Sequence, residues 1–346
     1  MSDSGENAPT RDHSGLPPRV LSGLQPSGEL HIGNYFGAIQ QHIALQDEYP
    51  GECLFFIADY HALTSLRDPD VLRGYTRELA VTYLAFGFDL ARAAMFRQSD
   101  VPEVTELTWL LSCVTGMGLL ERAHSYKDKV ARGIKPSAGL FFYPVLMAAD
   151  ILVYDSSMVP VGKDQVQHVE MAQDMATHFN EQFGRGAQLL RRPEWRLSHA
   201  PYVPGLDGAK MSKSYDNTIP IWSSGKDLRK RIGRIVTDST PLGQPLPIES
   251  DKVLALLDLV LDERERAEVR EWYRSGSRAG QPFGYGHAKQ LLADRLDAYF
   301  ADARARRELL LRDPGAVDEM LRQSATKARE LAQRTLDRCR LATGLR

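Results

Sequence analysis

Residues 207–217 read DGAKMSKSYDN, a short polar segment that places Lys210 and Lys213 three apart with Ser212 and Ser214 beside them. Asp207, Gly208, Asp216 and Asn217 bracket the lysines, and all four are turn-forming types. The segment reads as a mobile loop carrying two ammonium groups and two hydroxyls. Such equipment suits a polyanion such as a triphosphate, although a solvated surface loop has the same composition. A second candidate is LQPSGELHIGN at 24–34. A Gly-rich turn between the first strand and its helix is where an open α/β sheet holds phosphate, on free backbone N–H groups. The stretch is neither G-x-G-x-x-G nor a Walker A sequence. His31 and Asn34 could donate to phosphate or ribose oxygens, and Gly33 would let a flat base or ribose approach the backbone. A helix-capping turn with an incidental histidine is the alternative. A third candidate is Asp150, an acid between MAA and ILV, which is costly to bury without a partner.

These residues need a scaffold, and the chain supplies enough material for one. Its 346 residues, 43% hydrophobic and 25% charged, are an ordinary globular composition for one large or two medium domains. A formal net charge of -2 excludes a global field steering the chain to nucleic acid, so a polyanion must be met by local basic patches. Cys53, Cys113 and Cys339 are too few and too far apart for a disulfide framework or a zinc site, which fits a reducing cytoplasm and predicts no tightly bound metal. Residues 1–18 are polar and lack the apolar core of a signal peptide, so they read as a disordered tail. No apolar run approaches the roughly 18 residues that cross a membrane.

The strand-like runs RVLSGL, ECLFFIADYHALT, AAMFRQ and MVPV alternate with helical patterns. Near-continuous apolar strands separated by helices predict an α/β fold with a Rossmann-like parallel sheet covered on both faces. Helices are expected from Tyr35 to Gln46, from Val101 to Ser125, and from Pro144, a type favoured at a first helical position. After the lysine loop strand-like runs almost vanish, and helical patterns occupy 226–237, 250–275, 285–311 and 315–342. The division is therefore a catalytic domain at 19–215 with a helical insertion, then an all-helical domain at 216–346 whose final helix has the option of packing back on the first.

HIGN after the first strand and KMSKS after the last are together similar to the paired signatures of class I aminoacyl-tRNA synthetases. Within that class, GELHIGN, YPVLMAADIL, VPVGKDQ and the intact KMSKS resemble the tryptophanyl branch of bacterial type, from about Val20 to the C-terminus. The resemblance implies ATP, with Mg2+ carried on it, as co-substrate, L-tryptophan as substrate and tRNA(Trp) as acceptor. It also implies a homodimer joined through the α/β half, in the cytoplasm and away from membranes. Lys210 and Lys213 would then meet the β and γ phosphates, together with Met211, Ser212 and Ser214. Lys129 resembles a further pyrophosphate-contacting lysine, or is a solvated charge in a basic loop. His31 retains the first histidine of the general signature, and Asn34 replaces the second. Gln25, Pro26, Ser27, Gly33 and Asn34 match nucleotide-binding positions. Gly162, Lys163 and Asp164 match a second ribose-side turn, although many tryptophanyl members carry Glu where Lys163 stands.

For the amino acid, Tyr143, Met147 and Asp150 fall at i, i+4 and i+7 on one helix face. Met147 would give an adaptable wall to a ring, and Asp150 an acceptor for an indole N–H. Leu21, Ile151 and Val161 would complete an apolar slot, with Gln165 on the substrate's ammonium or carboxylate. An aspartate accepts a phenol O–H equally well, so tyrosine stays open on chemistry alone. Basic clusters at 226–234 and 303–312 are able to touch tRNA phosphate, or are solvated helix faces. Tyr273, Phe283 and Tyr285 are candidates for base stacking by type only.

Overall fold

The computed structural model describes residues 17–123, 137–197 and 201–345. Lys129, and residues 1–16 of the expected tail, lie outside the described residues. Strands β1 (Val20–Leu24), β2 (Cys53–Ile57), β3 (Ala93–Arg97), β4 (Met158–Val161) and β5 (Glu194–Leu197) form one parallel sheet in the order β3-β2-β1-β4-β5. Side chains alternate across a strand, so Val20, Cys53, Phe55 and Met95 enter one core cluster while Leu21, Leu54, Phe96 and Val161 enter the other. Four strands follow the apolar runs. The fifth, EWRL, has three exposed residues and no apolar pattern. It is a strand because β4 pairs with it at the sheet edge, a cause that local sequence does not carry.

After β1 the chain runs through α1 (Ile32–Asn34), a π-helical turn (Tyr35–Ile39) and α2 (Gln40–Glu48). β2 leads into α3 (Asp59–Ala62) and α4 (Pro69–Ala85). The Asp68 carboxylate starts α4 by accepting the N–H groups of Asp70 and Val71. The single helix expected over Val101–Ser125 is two, α5 (Glu103–Ser112) and α6 (Met117–Glu121), parted at Cys113–Gly116. Helix α7 (Ala138–Leu152) does not start at Pro144. Ser137 caps it well before that point by accepting the Leu140 N–H, and Pro144 is interior. The one hydrogen bond a proline forfeits is offset by burying Leu140, Tyr143, Val145 and Ile151 on the same helix. Beyond β4 come α8 (Val166–Phe183) and the edge strand β5.

Among the described residues beyond β5, the regular elements are helices apart from one short hairpin: α9 (Gly225–Gly233), α10 (Lys252–Leu257), α11 (Glu263–Ser275), β6 (Ser277–Arg278), β7 (Gln281–Pro282), α12 (Tyr285–Tyr299), α13 (Ala301–Arg312) and α14 (Pro314–Thr343). Helix α14 crosses the free edge of β3. Its Val317 and Leu321 join the first core cluster, and Ala325, Ala328, Ala332, Leu336 and Cys339 join the second. Ser324 Oγ accepts the Met95 N–H at 2.9 Å, so the helix satisfies part of an edge that would otherwise seek a partner strand. Small residues let it lie close, and Arg329–Glu103, Arg338–Asp155 and Arg340–Glu106 pairs tie it down.

Tyr273 and Phe283 are 0% and 1% exposed, and the Tyr285 hydroxyl donates to Asp238 at 2.9 Å. The first two are core, so stacking on RNA bases is closed to them. The 303–312 cluster is also largely engaged inside the fold. Arg307 binds Glu78 on α4 at 2.9 Å, Arg304 binds Asp297 at 2.6 Å, and Arg306 donates to the Ala85 carbonyl.

Candidate active site

In an open parallel sheet, ligands bind at the carboxyl ends of the strands where the strand order reverses. Here the reversal lies between β1 and β4. Their register holds at Val20 and Met158 alone, after which the two strands part. The gap becomes a cavity of about 880 Å3 whose walls include Leu21 and Gln25 from β1 and its turn, Val161 from β4, and Asp150 from α7. A second cavity of about 740 Å3 adjoins it over the HIGN turn. Gly37, Ala38 and Lys210 line both, so the two form one cleft.

The lysine loop roofs the second cavity through Lys210, Met211, Ser212, Lys213 and Ser214. Ser27, His31, Gly33 and Asn34 face them from the turn, and Tyr202 and Val203 complete the wall. Lys213 Nζ donates to the Ser27 carbonyl at 2.8 Å, joining two segments far apart in the chain. Desolvation against the turn lowers the Lys213 pKa, with Glu29 acting in the opposite direction. His31 caps α1, where Asn34 Oδ1 accepts its backbone N–H at 3.0 Å. Burial, and then the charge of Lys213, lowers the His31 pKa to about 4, so the ring is neutral at pH 7. Its buried Nδ1 has no hydrogen-bond partner among the described residues. A buried polar atom in that state is suited to a ligand. Gly33 is needed for a nearer reason than an approaching base, because a Cβ there would lie 2.9 Å from His31 Nδ1 and 3.2 Å from Met211 Cβ.

The lysine segment is more constrained than its composition suggests. Ser212 donates its N–H to Asn217 Oδ1 at 2.8 Å, and Pro204 pairs with Lys210 as a β-bridge. Asp216 takes the left-handed conformation and Gly208 has φ +93°, so two of the four bracketing residues do make the turns their types favour.

The first cavity collects Leu21, Tyr143, Met147, Asp150, Ile151, Val161 and Gln165, with Gly162, Lys163, Asp164 and Gln25 at its mouth. Pro26 is buried between the two groups and lines neither cavity. Gln165 donates to Asp164 at 2.9 Å in this state. Asp150 is 1% exposed and does have partners: Gln98 Nε2 donates to both carboxylate oxygens, and His61 Nε2 donates to Oδ2, each at 2.9 Å. Burial raises its pKa, opposed by His61 and Gln98. Gln98 is itself oriented, its Oε1 accepting the Tyr60 N–H at 3.1 Å. An ionised carboxylate offers about four acceptor positions, so one on Oδ1 stays available to a donor in the slot. Tyr143 is held by a hydrogen bond between its hydroxyl and His168 Nε2.

Sequence reading missed His61 and Gln98. Gln98 directly follows β3, and His61 lies on α3 just past the end of β2, both at the carboxyl ends where this fold places its chemistry. That position is the available signal, but ECLFFIADYHALT reads as one strand-like run and hides where β2 ends.

Comparison with known proteins bears on the same cleft. The family of tRNA synthetases class I (W and Y) matches residues 14–301. A tryptophan–tRNA ligase of Rhodopirellula baltica is 49% identical over 328 residues, 95% of this chain and 100% of its own. One from Fusobacterium nucleatum is 48% identical over 330 residues, 94% of this chain and 98% of its own. Among solved structures, tryptophanyl-tRNA synthetase from Campylobacter jejuni complexed with ADP and tryptophan superposes with a TM-score of 0.87 at 49% identity, covering 94% of this chain and 99% of that one. With two cavities joined at the switch point of a parallel sheet, and with relatives matched over nearly their whole length, the chain belongs to the class I tRNA synthetases of the tryptophan and tyrosine type.

Proposed function

We propose that the protein is a tryptophan–tRNA ligase that activates L-tryptophan with ATP and passes it to tRNA(Trp). The observation that carries this reading is the single cleft in which Lys210 borders both cavities. A triphosphate over the HIGN turn would have its α-phosphorus beside the carboxylate of an amino acid whose ring lies against Asp150. A carboxylate oxygen of tryptophan attacks that phosphorus, the bond to the bridging oxygen breaks, and its electrons leave with pyrophosphate. The protein's task is alignment and positive charge where negative charge accumulates. Lys210 and Lys213 are assigned that charge, His31 donates as a neutral ring, and Asp150 accepts the indole N–H. In the second step the 2′-hydroxyl of the terminal adenosine attacks the acyl carbon and AMP leaves. Mg2+ would be carried on the ATP phosphates and would add positive charge there beside Lys210 and Lys213. Lys129 is assigned to the departing pyrophosphate on the strength of its sequence match.

In the same reading, residues 19–215 form the catalytic domain and 216–346 serve the tRNA. The exposed lysines Lys226 and Lys230 on α9 support that role for the first basic cluster. Two chains would pair through the α/β half, where Trp109, Met117 and Phe142 are 69%, 57% and 39% exposed. No helix among the described residues is long and apolar enough to cross a membrane. Amino-acid-dependent exchange of pyrophosphate into ATP tests the function. Tryptophan should support exchange and tyrosine should not, and Lys213→Ala should slow it roughly 30- to 1,000-fold, the loss of about 2–4 kcal/mol of transition-state stabilisation. Exchange with tyrosine alone would overturn the substrate, and exchange undiminished in the variant would overturn the role of the loop.

A further inference from the structure

The side chain of Asn217 occupies the inside of the lysine loop. It is 2% exposed, in a segment whose neighbours Ser214, Tyr215 and Asp216 are all exposed. Each of its side-chain polar atoms is used. Oδ1 accepts the backbone N–H of Ser212 at 2.8 Å. Nδ2 donates to the Asp207 carboxylate at 2.8 Å and to the Lys210 carbonyl at 3.3 Å. Its own carbonyl accepts the Leu206 N–H at 2.9 Å. One residue thus holds the start of the loop and the backbone at two of its central positions.

The pattern of partners requires an amide. Ser212 presents a donor, while Asp207 and Lys210 present acceptors, so the group between them must accept on one side and donate on the other. An aspartate in its place would set a carboxylate against Asp207 and against a carbonyl. An alanine would leave the Ser212 N–H and the Lys210 carbonyl without this partner in a largely enclosed position. Gly205 reports the same tightness from below, since a Cβ there would lie 2.2 Å from Asn217 Nδ2 and 2.4 Å from its Cγ. Asp207 is further fixed by the Ala209 N–H at 3.0 Å, and the bond from Asn217 is the largest influence lowering its pKa.

We propose that Asn217 and Asp207 form a clasp that positions Lys210 and Lys213 for the triphosphate, making Asn217 a positioning residue for adenylate formation. The inference rests on the ligase reading above. Neither clasp residue lines the nucleotide cavity. Their effect passes through backbone: fixing the Lys210 carbonyl and the Ser212 N–H sets the direction in which the Lys210 and Lys213 side chains leave the chain. Misplacement of about 1 Å at such a distance from the chemistry is enough to cost on the order of 100-fold.

The test is a charge-and-amide exchange between the two positions, read by tryptophan-dependent pyrophosphate exchange. Asn217→Asp should lower kcat or raise the KM for ATP by at least about tenfold while leaving the KM for tryptophan within about twofold, because Asp150 and its slot are untouched. Gly205→Ala, which displaces Asn217, should show the same split. The double variant Asp207→Asn/Asn217→Asp restores a donor facing an acceptor. The amide now at position 207 would accept from the Ala209 N–H and donate to the carboxylate at position 217, which still accepts the Ser212 N–H but cannot donate to the Lys210 carbonyl, so the variant should recover part of the loss. Thermal melting of each variant separates misfolding from misplacement. Near-wild-type exchange by folded Asn217→Asp would overturn the clasp, as would failure of the folded double variant to improve on it. A wild-type protein without tryptophan-dependent exchange would instead defeat the ligase reading and leave the clasp with no reaction to serve.

Discussion

Replacing Asp150 by alanine gives the most direct reading of how the slot chooses its ring. The carboxylate accepts two hydrogen bonds from Gln98 and one from His61 at 2.9 Å each, and it is 1% exposed. With Gln98 and His61 fixing both oxygens, the remaining acceptor on Oδ1 is held ready for the substrate. A hydrogen bond to a charged acceptor is worth about 1.5–3 kcal/mol, so its loss should lower kcat/KM for tryptophan roughly 10- to 150-fold. The same bond can be deleted from the other side by using a tryptophan analogue whose indole N–H is replaced by sulfur. Wild-type protein should disfavour the analogue by a comparable factor, and Asp150→Ala should discriminate much less. Pyrophosphate exchange with both amino acids and both proteins closes a double-mutant cycle whose coupling term is the bond itself. A factor that is unchanged in the variant would show that Asp150 does not meet the N–H. The reasoning would then fail, and Asp150 would be an anchor for His61 and Gln98 only.

Acid should destabilise the fold through its buried histidines. Burial lowers the His42 pKa from 6.5 to about 4, and His31 moves to the same value. Because the unfolded state binds these protons first, the stabilisation is complete above about pH 6.5 and is lost as pH falls toward about 4. Melting temperature should drop across that window, and His42→Gln should flatten the slope; parallel slopes would mean that His42 is not held neutral. At the sheet edge, Leu321 on α14 precedes Ser324 by one turn and is 1% exposed in the same core cluster as Ala93 and Met95 of β3. Leu321→Ala should cost about 2–5 kcal/mol in urea unfolding, and a loss below about 1 kcal/mol would show that α14 is not needed to cover β3.

What sequence alone determined is what short-range chemistry writes into it. Apolar runs of strand length became β1 to β4, because a strand buried on both faces must be apolar throughout. HIGN and KMSKS were legible as segments, since turn residues, small residues and ammonium groups declare themselves by type. The family followed from their order. Tertiary structure alone decided who meets whom. Lys213 reaches Ser27 only because the loop folds over the first turn. Asp150 is tolerated in the core only because the ends of β2 and β3 deliver His61 and Gln98 to it. Tyr273 and Phe283 looked like binding aromatics and are core, because type does not encode exposure. EWRL is a strand because its neighbour offers it a ladder, and α14 covers β3 because that edge otherwise lacks a partner. In each case the deciding partner is distant in the chain, and its free energy comes from burial and from hydrogen bonds that exist only once the fold has closed.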